Sequence, residues 1–457
     1  MPAKRSAGYS IDMTNGPLLS RILLFAVPLA LSTILQLLFN AADLVVVSRF
    51  AGDNAMAAVG ANGPLINLLV NTCMGLSVGA NVQAARERGA GLHEEVSRTV
   101  HTTMTLSILS GVALALIGVL GSEWFLTLMG APEKILPQAA LYLRIYFLGM
   151  PAAMVYNFGA ALLRSVGDTR RPLVYLSIAG VVNVCLNLVL VIVFHMDVAG
   201  VAIATVVSQM ISAALVLRCM MREDGDIRLE LKKLRIHGDK LKNILKVGLP
   251  AGMQSALFSI ANVVIQSSVN SFGEIVVAGN AASYNLEGFF YCMISSLQQA
   301  AMSFTSQNLG AGKIERIPRI LLTSYGCMLA AQVLISGITI LWGGELLGIY
   351  SQTEAVKLAG LERLNILSHS YLICGLMDIT VGSLRGMGRS VMPMIVSLAG
   401  VCGFRMVWVA TVFQQVQYHT LWGLMLSYPV SWTITVTIHI VCWIITFRTV
   451  RALHAAE

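Results

Sequence analysis

The sequence predicts an all-α integral membrane protein of twelve transmembrane helices, arranged as two six-helix lobes related by a parallel internal repeat. Three observations predict it. Only 12% of the 457 residues are charged and 56% are hydrophobic, whereas an ordinary soluble protein is about 25% charged. A single soluble core does not grow to hold this much apolar sequence, and the mean hydropathy of +0.74 agrees. The apolar residues fall into twelve runs near the roughly 20 residues that a bilayer-crossing helix needs. Finally, the second half of the chain restates the first at a steady offset.

The first run, 22–47, follows a polar stretch and is span-length, not the short apolar region of a cleavable signal peptide. Runs at 54–83, 100–121, 140–162, 173–194 and 198–217 complete a first lobe, 1–217. The stretch 218–246, "RCMMREDGDIRLELKKLRIHGDKLKNILK", is charged and central. It is expected to be a solvated cytoplasmic linker, with contact to anionic lipid as the alternative. Runs at 247–271, 275–304, 320–342, 364–383, 391–413 and 420–447 build the second lobe, 247–457. Long runs without period-two alternation favour helices over a barrel.

Orientation follows from charge. Twenty-five of the 31 Lys and Arg fall at the termini and in the loops after even-numbered spans. By the positive-inside rule both termini are cytoplasmic. The net charge of +8 is therefore topology, and nucleic-acid binding is not expected. The eight Cys lie in or beside apolar runs with no CxxC pair, and read as small buried hydrophobes.

The repeat is explicit. "ALLRSVGDTRRP" (161–172) answers "GSLRGMGRSVMP" (382–393), with Leu163/Leu384, Arg164/Arg385, Gly167/Gly388 and Pro172/Pro393 matching. "RERGAG" (86–91) answers "QNLGAG" (307–312), and Pro28/Pro250, Asn40/Asn262 and Phe50/Phe272 match one residue further apart. Six spans per half put both halves into the membrane in the same orientation, the arrangement of two-lobed secondary transporters. No GxxxxGK[ST] pattern is present, so an ion gradient rather than ATP is the expected energy source, and no enzyme is expected.

These residues carry a resemblance. "MTNGPLLSRILLFAVPLALSTILQLLFNAADLVVVSRFAGDNAMAAVGANGP", "QNLGAGKIER", "LLRSVGDTRRP" and "SLRGMGRSVMP" resemble the multidrug and toxic compound extrusion (MATE) transporters, and among them the DinF-like bacterial branch. The resemblance implies a monomeric twelve-helix exporter in the bacterial plasma (inner) membrane. It would exchange H⁺ or Na⁺, with no further cofactor, for small organic compounds that are cationic or amphipathic. One departure is Ser48 before Arg49-Phe50, where the family motif reads Gly.

The intramembrane polar residues are the candidate sites. A carboxylate facing lipid costs about 3 kcal/mol or more, so Asp43 is expected to face protein or water. Gln36, Asn40 and Asp43 form one stripe at helical spacing. By helix rise, Asp43, Asn187 and Thr205 share a layer about 8–10 Å below the outer surface, with Asn183 one turn deeper. This is an oxygen-rich nest for Na⁺ at Asp43 or a hydrogen-bonded proton site. The resemblance matches Asp43, Asn183 and Thr205 to polar cation-site positions, and Asn187 to one that is often Asp. In the repeat Asp43 maps to Ile265, which assigns the main coupling site to the first lobe.

In the second lobe, Glu287 and Arg405 have similar depths by helix rise and are expected to pair. Asp378 lies seven residues before Arg385, as Asn157 does before Arg164. Asn157, Asp378, Glu287 and Arg405 are the candidates for substrate or a second ion. Pro28 is a candidate hinge in span 1. His101 and His369 read as hydrogen-bonded core residues outside the mechanism. Two other functions compete: a lipid-linked oligosaccharide flippase of the same superfamily, which would want more intramembrane base than Arg405, and a non-transporting scaffold or receptor.

Overall fold

The computed structural model describes residues 9–456, and every regular element among them is helical. Span 1 is Leu18–Phe50, span 2 Asp53–Gly89 and span 3 His93–Leu128. Span 4 is a pair, Leu136–Leu148 and Met150–Ser165, bent by 48°. Pro151, at the start of the second segment, lacks the N–H that a continuous helix would use there. Span 5 is Arg170–Leu188, closed by a π-helical turn at Val189–Val193, and span 6 is Asp197–Arg222. Spans 7 to 10 are Gly238–Asn270, Glu274–Gly310, Arg316–Gly348 and Glu354–Gly386. Span 11 runs through Val391–Ser397, a π-helical stretch Leu398–Gly403 and Phe404–Ala410. Span 12 comprises Leu421–Met425 and Ser427–Ala456.

Ten of these helices, with span 4 as an eleventh, are long and apolar enough to cross a membrane. Span 8 is the twelfth. It has 37 residues, and Asn280, Asn285, Glu287, Gln298 and Gln299 lower its apolarity. Several helices outrun the apolar stretches that announced them. Span 10 starts at Glu354, ten residues before its expected edge at 364. The apolar run marks the hydrocarbon zone, whereas backbone hydrogen bonding carries the helix on through charged residues.

The chain forms two compact units. Unit 1 contains Met1–Asp12 and Leu31–Gly252, and unit 2 contains Met13–Ala30 and Met253–Glu457. The expected boundaries differ from these in two places, for visible reasons. In unit 2, Asn308 Nδ2 donates to the Met13 carbonyl at 2.9 Å, Lys313 Nζ to the Thr14 carbonyl at 3.0 Å, and Phe25 packs edge-on to Phe304. Residues 13–30 are thereby tied to the second half of the sequence. In unit 1, the first part of span 7 meets span 2 through two small-xxx-small pairs, Gly75/Gly79 and Gly248/Gly252. A Cβ on Gly248 would lie 2.8 Å from the Gly75 carbonyl oxygen, so this backbone approach requires glycine.

The central stretch also departs from expectation. Helices take both its ends, and the remainder is anchored on unit 1 at a few points while Arg228, Lys232, Lys233 and Arg235 stay exposed. Ile227 and Leu229 are buried in a cluster with Val96, Val100 and Met220. The Glu230 N–H donates to His101 Nε2 at 3.1 Å, and the His237 N–H to Thr102 Oγ1 at 3.1 Å. Burial first, then the nearby Arg235 and Arg98 charges, holds the His237 imidazole below the usual histidine range. Lys240 Nζ reaches Glu87 at 2.5 Å and also contacts Glu95. His101 is thus a tether for the linker; His369 contacts the Asn365 carbonyl one turn back on its own helix at 2.6 Å.

The "LR-x-x-G" signatures are helix ends. Gly167 and Gly388 have φ of 86° and 81°, and each closes a Schellman motif. Gly167 N–H donates to the Arg164 carbonyl and Asp168 N–H to the Leu163 carbonyl, both at 3.0 Å. Gly388 and Arg389 make the same two bonds to Arg385 and Leu384, at 2.8 and 3.0 Å.

Candidate ion and substrate sites

In unit 1, span 5 places Asn183 and Asn187 one turn apart on one face, and both are buried. Asn187 Nδ2 donates to Asp43 Oδ1 and, at a longer 3.4 Å, to Asn183 Oδ1. Asp43 is half-buried and belongs to no ion pair among the described residues. The other atom of the Asn187 amide, Oδ1, is buried and accepts no hydrogen bond. A carboxylate and an open amide oxygen thus belong to one hydrogen-bonded group, with no cationic side chain paired to it among the described residues. Buried acceptors ordinarily find a partner, and these oxygens suit either Na⁺ or a proton on Asp43. No group of three or more His, Cys, Asp or Glu is assembled among the described residues, so a cation held here would rest on one carboxylate and neutral oxygens.

The other expected members of this nest are arranged differently. Thr205 Oγ1 donates to the Val201 carbonyl of its own helix at 2.9 Å, so its O–H is already used. Gln36 and Asn40 are exposed. Asn157 Nδ2 donates one turn back to the Ala153 carbonyl at 2.8 Å.

In unit 2 the expected Glu287–Arg405 pair is replaced by Glu287–Arg363. Arg363 Nε and Nη2 donate to the two carboxylate oxygens of Glu287, both at 2.7 Å. This parallel fork is the strongest geometry for the two groups. Arg363 Nη1 donates to Asn280 Oδ1 at 2.6 Å, and the Tyr371 hydroxyl to Glu287 Oε2 at 3.0 Å. Asn280 and Glu287 lie seven residues apart on span 8, hence on one face, and Arg363 and Tyr371 lie eight apart on span 10. Arg363 reads as a loop-side charge while span 10 is taken to begin at 364; the helix that starts at Glu354 puts it inside.

Arg405 lies beside this pair, against the Tyr428 ring whose centroid is 5.9 Å from Arg363 Cζ, but does not join it. It is 4% exposed. Its Cζ lies 3.8 Å from the centroid of the Tyr428 ring and 5.5 Å from that of Trp432, and Nε donates to Ser431 Oγ at 3.1 Å. Spacings of three and four residues put Tyr428, Ser431 and Trp432 on one face of span 12. Asp378 is buried and accepts from the Tyr291 hydroxyl at 3.1 Å, while Arg385 Nη2 donates to Gln254 Oε1 at 2.9 Å. Asn280, Arg363, Tyr371, Tyr428 and Trp432 escaped the sequence reading. Only the charge of Arg363, nine residues inside its helix, could have flagged one of them.

A twelve-helix membrane fold built as two copies of one six-helix plan, with isolated charges inside the spans, defines a secondary transporter rather than an enzyme. The MatE family model matches residues 28–189 and again residues 250–411, one match in each half. The chain belongs to the MatE family, the multidrug and toxic compound extrusion transporters. It is 28% identical over 427 residues to the probable multidrug resistance protein YoeA of Bacillus subtilis (strain 168), covering 90% of each chain. It is 23% identical over 367 residues to the multidrug export protein MepA of Staphylococcus saprophyticus, covering 80% of this chain and 81% of that one. Its fold matches the solved structure of a MOP superfamily transporter from Pyrococcus furiosus Vc1 with a TM-score of 0.91 at 20% identity, over 98% of this chain and 100% of the other.

Proposed function

We propose that this transporter exports small amphipathic organic compounds in exchange for H⁺ or Na⁺, with the coupling ion taken at Asp43, Asn187 and Asn183. The observation that carries the ion site is the buried, unpartnered Asn187 Oδ1 beside an Asp43 carboxylate that has no ion-pair partner among the described residues. A proton or Na⁺ would neutralise Asp43 and complete the amide's hydrogen bonding or coordination. The relatives named for multidrug resistance and multidrug export support the substrate side. The Lys and Arg distribution supports cytoplasmic termini, and the bacterial relatives support a bacterial plasma membrane. Six spans in each half, enough for two complete lobes, support a monomer as the working unit.

Alternating access requires an element that can change shape. Pro28 sits inside span 1, and the division between units falls at Ala30/Leu31; Pro250 sits inside span 7, with the division at Gly252/Met253. Each proline removes a helix hydrogen bond beside such a division. Pro28 therefore serves as the hinge, and cation and substrate favour different states of span 1.

The test is dye efflux from vesicles containing the purified protein, with ΔpH or ΔNa⁺ imposed separately. Efflux driven by one of the two gradients is expected and identifies the ion. Equal dye movement with and without either gradient would remove the antiport reading.

A further inference from the structure

We infer that Arg405, with the aromatic wall around it, accepts the carboxylate of an aromatic organic acid or zwitterion, so that the exported compounds include ones bearing an anionic group. This rests on the exporter reading above and names part of its substrate class.

The inference starts from charge. A guanidinium does not give up its proton in proteins, and burying a cation without a counter-ion is costly. Neither of the buried acids of this unit, Glu287 or Asp378, is bonded to Arg405 among the described residues. Both oxygens of Glu287 are taken by Arg363, and one also by Tyr371. Asp378 holds the Tyr291 hydroxyl, and no ion pair among the described residues includes Arg405.

Geometry then says what is open. The Tyr428 ring lies against the guanidinium at 3.8 Å, and Ser431 takes Nε. Nη2 is buried and has no hydrogen-bond partner. Guanidinium N–H groups lie in its plane, so stacking on Tyr428 leaves them available for an in-plane acceptor. The ligand shape that uses such donors best is a carboxylate.

The surroundings select the rest of the ligand. Tyr428 and Trp432 have ring centroids 5.6 Å apart, Trp432 and Tyr371 5.7 Å, and Tyr371 and Phe290 6.3 Å. Four linked rings leading from one buried cation suit a planar apolar body with an acidic group at its end. A bare inorganic anion would leave that wall unused.

The test uses rhodamine B, which carries a free carboxylate, and its ethyl ester, which does not. Binding to the full-length protein in detergent is read by fluorescence polarisation in gluconate and in chloride buffers, and gradient-driven efflux is read in vesicles. Arg405→Gln is expected to weaken rhodamine B binding roughly tenfold and leave the ester unchanged, with Arg405→Lys in between. Because the substitution removes an unpaired buried charge, the detergent melting temperature of Arg405→Gln is not expected to fall. Equal loss of both dyes, or full retention of rhodamine B, would overturn the assignment. So would a preference for the acid that disappears in chloride, since the site would then belong to an inorganic anion. Arg405-dependent binding of the acid without gradient-driven movement of either dye would support the site and count against the exporter reading.

Discussion

The two halves of this transporter answer intramembrane charge in different ways. In unit 1 one carboxylate, Asp43, is met by the Asn187 amide, itself bonded to Asn183, and by no cationic side chain among the described residues. In unit 2 a carboxylate is locked to a guanidinium by a bidentate fork, and a second guanidinium is met by rings. Yet the frame is the same. Gly167 and Gly388 close equivalent Schellman motifs, and Pro28 and Pro250 interrupt equivalent spans. At the repeat offset Asp43 becomes buried Ile265, while Asn183 and Asn187 become Phe404 and Trp408. The duplication has kept what the backbone needs and let the chemistry diverge. An acid whose neighbours are neutral can gain or lose a cation without breaking an ion pair. Glu287 cannot change charge without stranding Arg363 in an apolar interior.

The largest effect expected from this difference is at Asp43. Asp43→Asn should bring gradient-driven dye efflux to background while the protein still folds, since no buried cation is left unpaired. Full efflux by this variant would erase the functional contrast between the halves. The second half should respond through stability instead. Glu287→Gln is expected to cost about 3–5 kcal/mol by leaving Arg363 unpaired. The Glu287→Gln, Arg363→Met double variant should recover much of that in detergent melting, whereas additive losses would argue against a pair.

Pro28→Ala should lower turnover several-fold and leave substrate affinity near wild type, measured in one preparation; unchanged turnover would leave the kink as packing only. Asn187→Ala removes the amide that bonds Asp43. It should weaken the coupling ion's apparent affinity roughly tenfold, as loss of a hydrogen bond to a charged group does. The same readout in Asn157→Ala, whose amide bonds only its own helix, should be unaffected. The smallest effect is in the shared frame: Gly388→Ala forces a left-handed backbone on a side chain and should cost about 1–2 kcal/mol in melting, without changing ion or substrate affinity.

Much of the fold was legible because lipid imposes its demand residue by residue along the chain. Twelve apolar runs gave twelve spans, and even span 8 could be found by its length despite its polar side chains. The grouping of Asp43 with Asn187 and Asn183 was legible too, because helix rise converts residue number into depth. Depth alone misled in unit 2. Glu287 and Arg405 share a level, but rise says nothing about which way a helix face points, and Arg363 reaches that level from span 10. Depth is silent on Thr205 in a related way, since it does not foretell that the hydroxyl donates to its own helix. The division into units was hidden from hydropathy, because close-packed glycines and carbonyl contacts set it, and these leave no apolar signal.

That division bears on how such a chain can be recombined. The point where the sequence begins to repeat is not where its packing divides. A hybrid joined within 223–237 would give unit 1 a foreign Lys240, Gly248 and Gly252, against a Glu87, Gly75 and Gly79 that did not arise with them. A junction after Gly252 keeps those matched sets whole. It also obliges the donor of the second half to supply residues 13–30, which belong to the same unit. Exchange between relatives, in the laboratory or by descent, should therefore succeed as two crossovers beside Pro28 and Pro250 more often than as one at the midpoint.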